Sequence, residues 1–273
     1  MSFISPELNK QFDQESLFKQ VSALNGEVYR EVEGRRTFRV LLNNKPYFAK
    51  VHYGIGWWEI IKNLLQLRMP VLGASNEWQA IQKLHDLNVD TLNAVAYSSE
   101  GSNPARMRSC IVTEALDDTT SLEDVVSQGK LTPELKSELV PRLAKISSTL
   151  HRNGVNHRDY YLCHFLLSND SLTDNLVRKL HLIDLHRVQI RSGEAPSRWQ
   201  EKDLAGLLFS AADAGVTRRD VYRFIAIYTG LPLRQALGER RAFWQRIVTR
   251  ARKLYEKDQG RTSQFLEFLD HLS

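Results

Sequence analysis

The sequence predicts an α+β chain in two lobes, an N-terminal antiparallel sheet with accompanying helices followed by a mainly helical C-terminal lobe. Three observations carry that expectation. Residues 27–52 alternate apolar and polar positions across two turn signals. The character of the chain changes near Glu114-Ala115-Leu116, and from Trp199 onward the apolar spacing is helical throughout. The lobes are therefore expected at 1–116 and 117–273, and 273 residues suffice for two lobes sharing a cleft.

In order along the chain, GEVYREVE and TFRVLL read as strands around the turn Gly34-Arg35-Arg36, and Asn43-Asn44-Lys45-Pro46 turns the chain into YFAKVH. Residues 57–67 are helical by period, with Trp57, Ile60, Ile61, Leu64 and Leu65 on one stripe, and Pro70 ends the element. A second helix begins at Ser75 and carries Trp78, Ile81 and Leu84. Two more strands follow, LNAVAYS and SCIVTE. The spacing Leu135, Leu139, Leu143, Ile146, Leu150 predicts a long amphipathic helix interrupted by Pro141 and ended by Gly154. HFLLS and KLHLID are short apolar pieces, after which helices are expected over 199–213, 217–229, 239–256 and 262–272.

Composition narrows the function. Hydrophobic content of 42% and charged content of 25% match an ordinary globular chain. Two cysteines, Cys110 and Cys163, are too few for a disulfide framework, so a reducing compartment is expected. MSFISPELNKQF has no apolar core of a secretory leader, and no 18-residue apolar stretch exists to span a membrane. A net charge of +5 favours anionic partners, but no motif points to nucleic acid.

The chemistry concentrates in NHRDYYLCHFLLSND, residues 156–170. Asp159 lies five positions before His164, and Asp184 follows the apolar Leu182-Ile183. That order matches the protein-kinase layout, in which HRDxxxxN precedes a strand and a metal-binding Asp. Phosphoryl transfer needs one carboxylate to orient the attacking hydroxyl and another to hold Mg²⁺ across the phosphates. Upstream, Lys50 closes a strand of alternating apolar residues. Glu77 shares a helical face with Ala80, Ile81 and Leu84, so its carboxylate needs a partner, and Lys50 is expected to be that partner in preference to pairing with Glu59.

The chain resembles the bacterial lipopolysaccharide core heptose(I) kinases over residues 20–255. LNGEVYREVEGRRTFR, IIKNLLQLRMPVLGASNEWQAI, GVNHRDYYLCHFLL, LIDLHRVQIR and RWQEKDLAGLLFS carry the likeness. It implies a protein-kinase-like fold and ATP-dependent phosphorylation of the first heptose of the inner core, at the cytoplasmic face of the inner membrane. The resemblance makes Asp159 the base and Lys50 with Glu77 the phosphate-gripping pair. Asp184 becomes the Mg²⁺ ligand and Asp203 the brace of the catalytic loop. Val112 to Leu116 becomes the adenine hinge, with Glu114 and Leu116 as contacts. The implied partners are ATP, the core glycolipid and the inner-membrane surface, and an acidic helper such as an acyl carrier protein is a candidate for the basic surface.

Three departures from the kinase pattern matter. The loop Asn is replaced by His164, and imidazole is a poor Mg²⁺ ligand, so three roles stand open for it: action through water, direct contact with phosphate, or a place beside Asp184 as a candidate metal residue with Mn²⁺ as the substitute ion. Gly34 stands alone where kinases have several glycines, and Arg35, Arg36 and Thr37 are expected to contact phosphate in compensation. Asp184 and Trp199 stand too close in sequence for a peptide-binding activation segment, which favours a small or glycolipid acceptor. The rival readings are a kinase of another hydroxylated acceptor, aminoglycoside-like, and a catalytically inactive scaffold.

His157 and Arg158 read as structural, and His181 and His186 as ordinary polar positions. Cys163 with these histidines lacks the close ligand pairs of a zinc site. Arg187, Arg191, Arg198 and Lys202 are expected to face an acceptor that carries lipid phosphates and sugar-acid carboxylates. In GIGWWEIIKNLLQLRMP, packing of the apolar stripe on the sheet is the expected role, and exposure of Trp57 or Trp58 would mark lipid contact.

Overall fold

The structure is a computed structural model that describes residues 1–32, 34–65 and 73–269. It divides into two compact units. One contains Met1–Lys83, Thr91–Asp117 and Leu185–Arg187, the other Leu84–Asp90, Asp118–Asp184 and Val188–Ser273.

In the first unit, β1 (Ser2–Ile4), α1 (Leu17–Ser22), β2 (Glu27–Val32), β3 (Arg35–Leu42) and β4 (Lys45–His52) come first. They are followed by α2 (Gly56–Leu65), the start of α3 (Ser75–Asp86), β5 (Ala94–Glu100) and β6 (Arg108–Glu114). The strands form one antiparallel sheet in the order β1-β5-β6-β4-β3-β2. Phe38, Val40, Tyr47, Ala49 and Val51 line its inner face and pack with Phe18 and Val21 of α1. Period-two alternation buries this set and sends the intervening residues to the other face. The edge strand β1 and helix α1 were invisible in the sequence, because at three and six residues each is too short to display a period.

Arg35 and Arg36 are not turn residues. Val32 pairs with Arg35 and Glu31 with Arg36, so β3 begins directly after Gly34. Gly34 has φ +76°, and a Cβ there would stand 2.5 Å from the carbonyl oxygen of Gly54, so glycine is required. In α2 the expected packing stripe is only partly buried: Ile60 is covered, while Trp57, Trp58, Ile61 and Leu65 are exposed. Residues 66 and 67, Arg68 and Pro70 lie outside the described residues, as do the side chains of Glu59 and Leu64.

The second unit begins with β7 (Thr119–Ser121), α4 (Leu122–Ser127), α5 (Pro133–Arg152) and β8 (Val155–Asn156). Next come β9 (Phe165–Ser168), α6 (Asn169–Asp174), β10 (Leu180–Leu182) and β11 (Gln189–Ile190). Helices α7 (Ser197–Ser210), α8 (Arg218–Thr229), α9 (Leu233–Glu239), α10 (Arg241–Gln259) and α11 (Gln264–Leu269) complete it. The helical core gathers Ala144, Leu204, Ile225, Tyr228, Trp244 and Ile247. Asp90 ties its short segment to this unit, its carboxylate accepting from Arg142 at 3.1 Å and its carbonyl from the Leu182 N–H at 2.9 Å.

Two helix expectations are corrected. Helix α5 runs unbroken through Pro141. Proline has no N–H for the carbonyl four residues back, which is Ser137, and a proline inside a helix ordinarily costs about 3 kcal/mol. Here Arg223 of α8 donates to that carbonyl at 3.0 Å and to the Ser137 hydroxyl at 3.1 Å, so the acceptor freed by Pro141 is satisfied from a neighbouring helix. The stretch expected as one helix over 239–256 lies within two, α9 and α10. Residues 270–272 of the last expected helix lie outside the described residues. No described helix is long and apolar enough to cross a membrane.

Candidate active site

In the first unit, β4 aims Lys50 away from the core by the alternation that buries Ala49 and Val51. Its Nζ lies 2.6 Å from Oε1 of Glu77, whose side chain is 1% exposed on α3. Asn76, beside Glu77, donates to the carbonyl of His186 at 2.8 Å. A carboxylate this buried is stable only with a partner. Lys50→Met, which strands it, is expected to lower stability by about 3–5 kcal/mol. The double variant Lys50→Met/Glu77→Leu should recover most of that loss in urea unfolding. A single variant as stable as the parent would refute the dependence.

Strand register sorts the other expected nucleotide contacts. Thr37 is directly opposite Lys50, and Arg35 opposite His52, so both share Lys50's face. Arg36 does not. It stands on the core side, with its guanidinium 4.5 Å from the centroid of the Phe38 ring. Gly34 shapes the preceding turn. At the hinge, the N–H groups of Glu114 and Ala115 donate to the carbonyls of Asn93 and Pro46, and the Glu114 carboxylate accepts from Asn93 at 2.8 Å. Sequence reasoning missed Phe48 and Tyr29, whose rings meet edge to face at 5.1 Å on Lys50's face. The signal was available, since Phe48 and Lys50 are two apart in one strand.

In the second unit the catalytic-loop sequence is fixed by one carboxylate. Asp203, 1% exposed on α7, accepts from the backbone N–H of His157 at 2.6 Å and of Arg158 at 2.8 Å. Arg158 adopts φ +77°, a left-handed backbone rare for its type. The clamp holds the loop at the residue before Asp159. His157 donates from Nε2 to the carbonyl of Ile183 at 2.9 Å, and burial pushes its imidazole pKa down, so it sits neutral as a strut. That stretch leads into Asp184, itself left-handed at φ +60°.

His164 bridges the two carboxylate-bearing segments. A carbonyl only accepts, so Nδ1–H donates to the Asp159 backbone oxygen at 2.6 Å, and Nε2 lies 3.5 Å from Oδ2 of Asp184. Burial works against its charge, but hydrogen bonds to Cys163 and the Asp159 carbonyl, with the charges of Cys163 and Asp184, raise its pKa to about 9. Among the described residues no cluster of three or more His, Cys, Asp or Glu could hold an ion by itself. The half-exposed Asp184 nevertheless fits Mg²⁺, which takes one or two carboxylates and completes its shell with substrate phosphate and water.

The remaining expected site residues separate. Arg191, Arg198 and Lys202 stand in the second unit with Asp159, whereas Arg187 belongs to the first.

A lysine of an antiparallel sheet paired with a helix glutamate, and an aspartate-braced loop followed by an antiparallel strand pair and a second aspartate, define a kinase-like fold. Comparison with known proteins gives the particular family. Residues 19–228 match the lipopolysaccharide kinase (Kdo/WaaP) family. A Pseudomonas aeruginosa protein named lipopolysaccharide core heptose(I) kinase WaaP is 50% identical over 246 residues, 89% of this chain and 91% of that protein. An Escherichia coli protein of the same name is 44% identical over 245 residues, 89% of this chain and 92% of that protein. A solved structure described as WaaP in complex with acyl carrier protein superposes with TM-score 0.79 at 42% identity, covering 94% of this chain and all of that one. The chain belongs to the lipopolysaccharide kinase (Kdo/WaaP) family.

Proposed function

We propose that this protein is an ATP-dependent kinase that phosphorylates a hydroxyl of the first heptose of the lipopolysaccharide inner core. The observation that carries the reading is the Asp203 clamp, which fixes the loop at the residue before Asp159. Family membership supplies the acceptor class. Nucleotide binding belongs to the first unit and acceptor binding to the second.

In this mechanism Lys50, held extended by Glu77, grips the α- and β-phosphates, with Arg35 and Thr37 on the same face. The carbonyl of Glu114 and the backbone of Leu116 receive adenine. Asp159 accepts a hydrogen bond from the attacking heptose hydroxyl and takes its proton as that oxygen bonds the γ-phosphorus and the bond from the γ-phosphorus to the β,γ-bridging oxygen breaks, releasing ADP. Asp184 holds Mg²⁺, which neutralises charge on the phosphates when bound. His164 acts from behind, fixing the Asp159 backbone and steadying the Asp184 carboxylate.

The decisive experiment incubates the protein with ATP, Mg²⁺ and dephosphorylated core oligosaccharide and weighs the product. One added phosphate on heptose is expected. Transfer to an aminoglycoside but to no core acceptor would favour the rival kinase, and no transfer anywhere would favour a scaffold.

Two partner assignments accompany the reading. An acyl carrier protein is a proposed partner, supported by the solved relative in complex with one and by the +5 charge available to an acidic protein. The inner-membrane surface is the other. Trp57 and Trp58 are 55% and 78% exposed on α2, with Leu65 at 80%, an apolar surface suited to the headgroup region. The double variant Trp57→Ser/Trp58→Ser is expected to lose sedimentation with anionic liposomes at unchanged melting temperature. A lowered melting temperature with liposome binding intact would return both rings to a packing role.

A further inference from the structure

Beside the catalytic loop the second unit opens a pocket of about 620 Å³, a volume typical of small-molecule sites. Its lining is of two kinds. Tyr161, Phe209 and Leu254 are half-buried and Tyr255 is covered, so these four make the floor. Glu123, Asp213, Lys257 and Asp258 are exposed and make the rim.

The floor is a row of rings. Tyr161 meets Phe209 edge to face at 6.0 Å between centroids, and Phe209 meets Tyr255 at 6.4 Å. Gly206, three residues before Phe209 on α7, leaves room for the first of them, since a Cβ there would press on the Tyr161 ring at 3.1 Å. The N–H of Tyr161 donates to the carbonyl of Asp159 at 3.1 Å, so the floor begins two residues from the proposed base. The rim is fixed through the floor: the Tyr255 hydroxyl donates to the Asp213 carboxylate at 2.8 Å, and Arg261 pairs with the same group at 3.3 Å.

Charge narrows the occupant. Three rim carboxylates stand against Lys257 and the Arg261 paired with Asp213, which leaves a small negative excess. That excess repels phosphates and carboxylates, while each carboxylate is a strong acceptor for a neutral hydroxyl. The two cations close by keep the pocket from being a trap for polyamines. A neutral sugar ring fits this division, because its C–H face is apolar and its hydroxyl edge is polar. The face rests on the aromatic floor and the edge reaches the rim.

We propose that this pocket is the subsite for an uncharged heptose ring of the acceptor, with Tyr161 and Phe209 under its C–H face and Glu123, Asp213 and Asp258 accepting from its hydroxyls. The subsite rests on the kinase reading for its acceptor and deepens it, by saying which part of a highly charged glycolipid is taken in. Repulsion at the rim keeps lipid phosphates and sugar-acid carboxylates outside, so the neutral ring enters next to the loop that carries Asp159.

Cys163 offers a readout that needs no turnover. It lines the pocket at intermediate exposure, whereas Cys110 is buried. Alkylation of Cys163 by iodoacetamide is followed by peptide mass spectrometry on the full-length protein, without nucleotide, as the methyl glycoside of the heptose is titrated in. Saturable loss of alkylation is expected. In the double variant Glu123→Ala/Asp258→Ala, which changes only exposed side chains, the heptoside concentration giving half protection should rise about tenfold, as for a lost hydrogen bond to a charged group. No saturable protection, or an unchanged half-point in the variant, overturns the subsite. Equal or stronger protection by glucosamine, a cationic sugar of similar size, overturns its preference for a neutral ring.

In turnover the same variant should raise the KM for dephosphorylated core oligosaccharide about tenfold, with kcat and the KM for ATP unmoved. Protection without phosphate transfer to any acceptor would sink the kinase reading and leave the subsite standing. Transfer with neither protection nor a change in KM would sink the subsite and leave the kinase reading standing.

Discussion

Asp159→Ala is expected to reduce phosphate transfer to heptose by roughly 10²–10⁴-fold, the loss associated with removing a positioned general base. ATP affinity should hardly change, because the nucleotide is proposed to rest on Lys50, its partner Glu77 and Asp184. The fold should also persist, since the loop is fixed at the preceding residues, where Asp203 takes the N–H groups of His157 and Arg158. Single-turnover phosphorylation followed by mass spectrometry, with a nucleotide-binding titration alongside, reads both quantities. Full transfer by the variant would remove Asp159 from the chemistry.

The second large effect falls on a residue that touches no substrate. Asp203→Ala leaves two buried backbone donors unsatisfied, and each costs about 1–3 kcal/mol. The loss of stability should therefore be on the order of 2–5 kcal/mol. Turnover should fall as well, because Arg158 in its left-handed conformation has lost the acceptor that held it. Asp203→Asn keeps one oxygen and turns an NH₂ group toward the second donor, so it should restore only part of each loss. Urea unfolding and kcat, measured on both variants, check the order parent, Asn, Ala. An alanine variant as stable as the parent would show that the N–H groups find other acceptors.

Much of this architecture was legible in the residues. Alternation through YFAKVH placed Lys50 on the outward face of β4, and the helical period around Glu77 gave it the apolar surroundings that demand a cation. The spacing of Asp159, His164 and Asp184 likewise anticipated a loop, a strand and a second carboxylate. What escaped depends on partners distant in sequence. Whether Pro141 breaks α5 is decided by Arg223, eighty-six residues from the Ser137 carbonyl it serves. The pairing of β1 with β5 joins Phe3 to Tyr97, and no local pattern encodes it. The orientation of Arg36 was hidden for a different reason: a turn at Gly34-Arg35-Arg36 leaves it open, whereas a strand beginning at Arg35 fixes it to the core side. The basic residues after Asp184 were visible as a run, but the indole of Trp199 that gathers three of them with Arg158 was not.

Arg158, next to the proposed base Asp159, and Asp184, the proposed metal ligand, both occupy left-handed backbone at φ +77° and +60°. For residues other than glycine and, to a lesser degree, asparagine and aspartate, that region costs about 1–2 kcal/mol. Laboratory selection for heat resistance would find relief at these positions, enriching glycine at 158 and glycine or asparagine at 184. The survivors would be sturdier proteins and poorer catalysts, having traded a guanidinium and a carboxylate for an easier backbone. Durability and turnover thus compete for the same two positions.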